Sequence, residues 1–148
     1  MSSRPQIGYI DIRVFAHATE DIDKVLKAVS HILPKRLIEN VAFKRTSLTG
    51  NHGNPIILFE ARLSDKDATH AVFESLAEGL STLDKELLRG EMEHHLEKGN
   101  LYLRLDKQSA YLNEFKLSSI DPVHFKIHFK KQNLEDVMKI CRNAGLIP

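Results

Sequence analysis

The stretch Val123-His124-Phe125-Lys126-Ile127-His128-Phe129-Lys130 alternates apolar and polar side chains without a break. A period of two is typical of a β-strand, because successive side chains point to opposite faces of a sheet. The apolar set then faces a core and the polar set faces away from it. The stretch therefore predicts a sheet with one covered face and one open, basic face.

Similar patterns along the chain predict the remaining elements. Residues 10–16, 41–47 and 101–105 alternate in the same way, residues 56–63 are rich in strand formers, and residues 114–117 predict one further short strand. Capping residues followed by apolar residues at helical spacing predict helices over residues 22–33, 64–79, 83–96 and 133–144, with a short turn at 107–112.

The order of these elements mixes hairpins with helices instead of alternating strand and helix. It predicts an α+β fold, a two-layer sandwich in which helices cover one face of a mainly antiparallel sheet. The opposite face is then expected to carry basic side chains, namely Arg13, Lys44 or Arg45, Arg104, Lys126 and Lys130.

Size and composition limit the classes of protein. The chain has 148 residues with 42% hydrophobic and 28% charged side chains, which predicts one α+β domain over residues 1–148. No apolar run reaches the length of about 18 residues that a membrane span needs, and the start lacks the apolar stretch of a secretory signal. We expect a cytoplasmic protein without a membrane partner. The formal net charge is only +1, so net charge alone does not indicate nucleic-acid binding.

Neither a metal site nor a cofactor is predicted. Cys141 is the single cysteine and falls on the apolar stripe of the last helix, where a small buried hydrophobe is expected rather than a nucleophile. His124 and His128 share a strand face but lie about 13 Å apart, too far to ligate one ion without help from another strand.

The segment Gly50-Asn51-His52-Gly53-Asn54-Pro55 has two interpretations. A plain hairpin loop explains its glycines and turn-forming residues. The alternative is a loop that approaches an RNA backbone closely, with His52 and Asn54 as adaptable hydrogen-bonding groups. It lacks the ending of a nucleotide-binding P-loop.

The basic strand positions and the turn after residue 105 also have two interpretations. Alternating Arg and Lys, with Tyr102 or Phe15 between them, can contact phosphates and stack bases, but they can equally form a solvated surface. In the turn, Arg104, Lys107 and Gln108 would extend this patch, with Lys107 exposed. Alternatively, Asp106 merely caps the turn and Tyr111 buries its ring.

Three blocks resemble an archaeal family of predicted RNA-binding proteins, often labelled predicted exosome subunits. They are IRVFAHATED (residues 12–21), GNPII (53–57) and GNLYLRLDKQSAYL (99–112), and the resemblance spans residues 9 to about 130. It implies a ribosomal-protein-like α+β fold and a homodimer. It implies no catalytic residues.

The favoured hypothesis is a noncatalytic module that binds RNA or is associated with RNA processing, with exosome or ribosomal proteins as partners. A protein-interaction or scaffold dimer without direct RNA contact is the alternative, and an unrecognised enzyme is the third. The residues expected to contact RNA are Arg13, Lys44, Arg45, His52, Asn54, Arg104, Lys107, Gln108, Lys126 and Lys130.

Overall fold

Six strands and seven helices are present in the computed structural model, which describes residues 6–131 and 133–148. In chain order they are β1 (Ile7–His17), α1 (Ile22–Ile32), α2 (Lys35–Ile38), β2 (Lys44–Thr49), β3 (Pro55–Leu63), α3 (Lys66–Gly79), α4 (Thr82–Gly90), α5 (Met92–His95), β4 (Leu96–Glu97), β5 (Asn100–Asp106), α6 (Lys107–Tyr111), β6 (Pro122–Phe129) and α7 (Leu134–Ala144).

The strands form one sheet in the order β2-β3-β1-β6-β5-β4, and every neighbouring pair is antiparallel. Strand β1 lies in the middle, between β3 and β6. Its residue Ile12 pairs with Ala61 on one side and with Phe125 on the other. Residues that pair directly across antiparallel strands point to the same face, so these rows line the core. The predicted α+β sandwich is confirmed.

The helices cover this core face because their own apolar stripes point toward it. In α1, Val25, Val29 and Ile32 are buried, and the side chain of Asp21 caps the first turn by accepting from the Asp23 amide at 2.9 Å. The helices α1 and α3 both pack against β1. One continuous core results, and it includes Leu146 near the end of the chain.

The predicted single helix over residues 83–96 is found as two helices, and its last residue, Leu96, belongs to a strand instead. Helix α4 ends at Gly90, α5 is one short turn, and Leu96 already pairs with Leu101 in a hairpin. The two residues between β4 and β5, Lys98 and Gly99, both have positive φ, 51° and 80°. Such a two-residue turn matches the twist of a β-hairpin, so the chain leaves the helix early.

The predicted strand over residues 114–117 is also wrong. This segment makes only isolated bridges, from Phe115 to Leu80 and from Leu117 to Leu105. Packing holds it in place, because the ring of Phe115 lies directly on Gly79 at the end of α3. Two smaller differences concern element starts: β2 begins at Lys44 rather than residue 41, and Asp65 rather than Ser64 caps α3.

The contact between Gly79 and Phe115 predicts opposite effects for two glycine substitutions. A Cβ at Gly79 would collide with the Phe115 ring, so Gly79→Ala is expected to lower the free energy of unfolding by about 1–3 kcal/mol. Gly90 also ends a helix but has open space around it, so Gly90→Ala is expected to raise that free energy by about 0.5–1 kcal/mol. Urea unfolding measures both, and equal stabilisation by the two variants would contradict the contact.

Candidate nucleic-acid interface

The sheet face opposite the helices, here called the open face, is organised in rows by the strand register. Lys44 pairs with Glu60, Glu60 with Arg13, Arg13 with His124, and His124 with Arg104. These five residues form what we call the central row. It crosses four strand spacings, or about 19 Å. A single register therefore brings together residues that lie up to 111 positions apart in the chain.

The adjacent row is built around an arginine fork. It runs from Arg62 through Asp11 and Lys126 to Tyr102. Arg62 donates from Nε to Asp11 Oδ1 at 2.7 Å and from Nη2 to Asp11 Oδ2 at 2.9 Å. The hydrogen bonds with Asp11 and its charge raise the pKa of Arg62 above its usual value.

Aromatic rings on the open face are held by neighbouring side chains. The Tyr9 ring stacks on His128 from β6 at a centroid distance of 4.6 Å, and the Arg62 guanidinium from β3 lies 4.0 Å from the Tyr9 centroid. Tyr102 stacks on His124 at 5.7 Å. Charged groups and rings thus form one connected surface.

Cations outnumber carboxylates in the two rows. Two of the arginines have carboxylate partners: Arg62 with Asp11, and Arg13 with Glu60 at 3.5 Å. Among the described residues, no ion pair holds the side chains of Lys44, Lys126 and Arg104. These three positive charges are available to an external anion.

His124 lies at the centre of this positive surface. Half-burial of its ring lowers its pKa below the usual value near 6.5, and the nearby charges of Arg104, Arg13 and Lys126 lower it further. The ring is therefore mostly neutral at pH 7.

Toward the β2–β3 hairpin the open face becomes apolar. Leu48 pairs with Ile56, and Ile56 with His17, while Phe15 pairs with Leu58. Leu48 is 40% exposed. The basic rows therefore border a smaller apolar area.

The structure brings together four of the residues expected to contact RNA: Arg13, Lys44, Arg104 and Lys126 all lie on the open face. Lys130 is exposed just beyond the end of β6. The open choice between Lys44 and Arg45 is decided by register. Arg45 pairs with the core residue Phe59 and lies on the other face, its guanidinium 5.9 Å from the Phe59 ring.

The loop residues His52 and Asn54 lie apart from this group. Both are exposed at the tip of the predicted β2–β3 hairpin, which is closed by the Gly50 amide donating to the Asn54 carbonyl at 2.7 Å. The loop is far from the central row, because Lys44 and Thr49 stand at opposite ends of β2, about 17 Å apart. The plain hairpin loop describes this geometry, while a contact with RNA at the tip stays a prediction.

The prediction that Lys107 is exposed is wrong. The residue is only 8% exposed, and its Nζ donates to the Phe15 carbonyl at 2.8 Å and to Glu20 Oε1 at 2.9 Å. Asp121 Oδ2 lies 2.8 Å from the same Nζ. This ammonium ties α6 to the end of β1 and to the start of β6, so it is not part of a surface patch.

Its neighbour Gln108 is exposed, but α6 packs against α1 in the helix layer rather than beside the basic rows. Gln108, Lys24 and Tyr111 line a cleft of about 370 Å³ there. Asp106 caps α6 by accepting from the Ser109 amide at 2.9 Å and from the Ser109 hydroxyl at 2.6 Å. The proposed patch of Arg104, Lys107 and Gln108 is therefore not formed as one surface.

The Lys107 ammonium also contacts two of three side chains that could otherwise hold a metal ion. His17, Glu20 and Asp121 offer ligand atoms within 4.8 Å of one another. Lys107 Nζ already lies within 2.9 Å of both carboxylates and offsets part of their charge. Burial alone would raise the pKa of Asp121, but hydrogen bonds and charge from Lys107 and His17 outweigh this effect and lower it.

The open face also carries Arg62, Tyr9 and His124, which were not among the residues expected to contact RNA. For Arg62, the available signal was its spacing: Leu58, Glu60 and Arg62 occupy every second position of an otherwise apolar run and therefore share one face of the strand. For His124, the signal was its place on the polar side of the strand quoted at the outset.

A family model described as RNA binding matches residues 9–129. The chain belongs to this RNA-binding family. A protein of Pyrococcus abyssi, named as an RNA-binding protein, is 36% identical in an alignment of 147 residues that covers 96% of each chain.

Solved structures of similar proteins share the fold. One from Archaeoglobus fulgidus is 26% identical with a TM-score of 0.78, covering 93% of this chain and 99% of that one. Another, from Sulfolobus solfataricus, is 28% identical with a TM-score of 0.74, covering 92% and 96%. The predicted membership of an archaeal RNA-binding family is confirmed. Within the described residues, no helix is long and apolar enough to cross a membrane.

Removing the buried ammonium of Lys107 is expected to lower the free energy of unfolding. Lys107→Ala leaves Glu20 and Asp121 close together without their shared cation, which should cost about 2 kcal/mol of unfolding free energy. Gln108→Ala is the matched control, because this exposed neighbour has no such contacts with the residues that the structure describes and should change stability by less than about 0.5 kcal/mol. Equal urea midpoints for the two variants would refute a structural role for Lys107.

The lowered pKa of His124 predicts a pH dependence of stability. Its contribution is fully present above the usual pKa near 6.5 and is lost as pH falls through the lower pKa of the folded protein. His124→Gln removes this titration, so the variant should lose less unfolding free energy than the parent between about pH 7 and pH 5. Urea unfolding across this range tests it, and parallel pH profiles would contradict the assignment.

Proposed function

We propose that this protein is a noncatalytic RNA-binding module and that the open face is its RNA surface. The observation that carries the proposal is a set of three cations on one side of a single sheet, Lys44, Lys126 and Arg104, which no ion pair holds within the described part of the chain. RNA is bound largely through its phosphates, and Arg and Lys side chains supply both charge and hydrogen bonds to them. Membership of a family described as RNA binding supports the same conclusion.

The carboxylates of the open face support a binding role rather than a catalytic one. Asp11 and Glu60 each face an arginine, at 2.7 Å and 3.5 Å. Both carboxylates therefore serve to hold basic side chains in place. Phosphodiester cleavage by two metal ions needs several acidic ligands around one point, and the described part of the open face does not offer such a group.

The proposal extends to the setting of the protein. We propose that residues 1–148 act as one domain in the cytoplasm, as a homodimer, together with RNA and exosome or ribosomal proteins. Strand β2 supports the homodimer, because it is an edge strand whose free side can pair with another chain. Purification from native cells, with mass spectrometry of the proteins and sequencing of the RNA, tests these partners together.

A second candidate function, a protein-interaction or scaffold dimer, is favoured by the apolar end of the open face. Phe15, Leu48 and Ile56 lie there beside the basic rows, and such a mixture also suits an acidic protein partner. Direct measurement of RNA affinity distinguishes the two functions.

The RNA-binding proposal predicts a salt-dependent affinity that the open face controls. Neutralising two cations with Arg104→Gln and Lys126→Gln should weaken binding of an RNA hairpin about tenfold or more and reduce the slope of log affinity against log salt by about two. Filter binding across a salt series measures both quantities.

The matched control is a variant with Lys27→Gln and Lys35→Gln, which removes the same charge from exposed positions of α1 and α2. Its affinity should stay near that of the parent. Equal weakening by both double variants would show that only total charge matters and would move the site away from the open face.

A further inference from the structure

We propose that Arg13, His124 and Arg104 together bind one RNA phosphate and that His124 takes up a proton when the phosphate binds. This inference rests on the proposed function and adds to it a residue, His124, whose position makes RNA affinity dependent on pH. The chemical ligand is the phosphodiester anion of an RNA backbone.

The strand register supplies the geometry of this site. His124 pairs with Arg13 on one side and with Arg104 on the other, so the imidazole stands between two arginines on the same face. Directly paired residues have Cβ atoms about 5 Å apart, which lets all three side chains reach one anion. Stacking against Tyr102 at 5.7 Å holds the ring in this position.

The other charged groups around His124 are already engaged. Glu60 faces Arg13 at 3.5 Å, and Asp11 accepts the fork of Arg62. Asp106, beyond Arg104 on β5, caps α6 through Ser109. The remaining charge, Lys126, lies two residues along the same strand and is positive. In the free protein, no carboxylate among the described residues forms an ion pair with His124.

A bound phosphate reverses this balance. Its negative charge, placed between the two arginines, favours the imidazolium and offsets the repulsion that now keeps the ring neutral. The imidazolium can also donate a hydrogen bond to a phosphate oxygen. Such a bond is shorter and stronger when both groups are charged. Protonation and phosphate binding therefore strengthen each other by the same factor, as linkage requires.

This linkage gives the direction and the size of the pH effect on RNA affinity. Affinity rises as pH falls below neutrality, and it levels off once His124 is protonated in the free protein too. Between the pKa values of the bound and free states, uptake of one proton corresponds to about a tenfold gain in affinity per pH unit.

The test compares three proteins in binding a fluorescent RNA hairpin at constant ionic strength, between about pH 5.5 and pH 8. The parent should gain affinity on acidification, and His124→Gln should lose most of this gain. His94→Gln is the control, because His94 is exposed on α5 and lies outside the strand rows. It should keep the pH dependence of the parent.

A second measurement does not depend on the folding of the variant. NMR of the His124 imidazole in the parent protein should show a higher titration midpoint with the RNA hairpin than without it. An unchanged midpoint, or a pH profile that His124→Gln leaves intact, would overturn the inference while RNA binding itself stands. Absence of RNA binding by the parent at every pH would overturn both this inference and the proposed function.

Discussion

The pairing of β1 with β3 and β6 is the constraint on which the rest of the structure depends. A shift of one residue in either register would move Ile12 and Val14 out of the core and Arg13 into it. Because Arg13 would then be a buried charge, the register is strongly specified. The same pairing that buries the apolar rows therefore assembles the central row on the open face.

Lys107 fixes the end of the sheet in a different way. Its ammonium joins the Phe15 carbonyl and Glu20, at the end of β1 and in the turn after it, to Asp121, just before β6. A buried charge is tolerated only when it is paired and hydrogen-bonded, and here both conditions hold. A basic residue within one of the resembling blocks thus has a structural role, and the RNA surface that we propose lies on the strands instead.

The α+β sandwich and the open face could be predicted from local pattern, because alternation assigns Arg13, Lys126 and Arg104 to one face without knowledge of partners. The choice between Lys44 and Arg45 could not, since adjacent residues exchange faces when the register shifts by one. The burial of Lys107 was also inaccessible, because its partners Glu20 and Asp121 are distant in sequence. The short strand β4 could not be predicted either. The helical pattern of the sequence continues to Leu96, whereas the two-residue turn at Lys98 and Gly99 pairs Leu96 with Leu101 in a hairpin.

The central claim is that the open face of the sheet, and not the helix layer, binds RNA. Titration of the isotope-labelled protein with an RNA hairpin at low salt, followed by amide chemical shifts, tests it most directly. The account predicts that the largest changes occur at Arg13, His124, Lys126 and Arg104. Changes confined to the exposed surfaces of α1 and α2, or no changes at any RNA concentration, would contradict it.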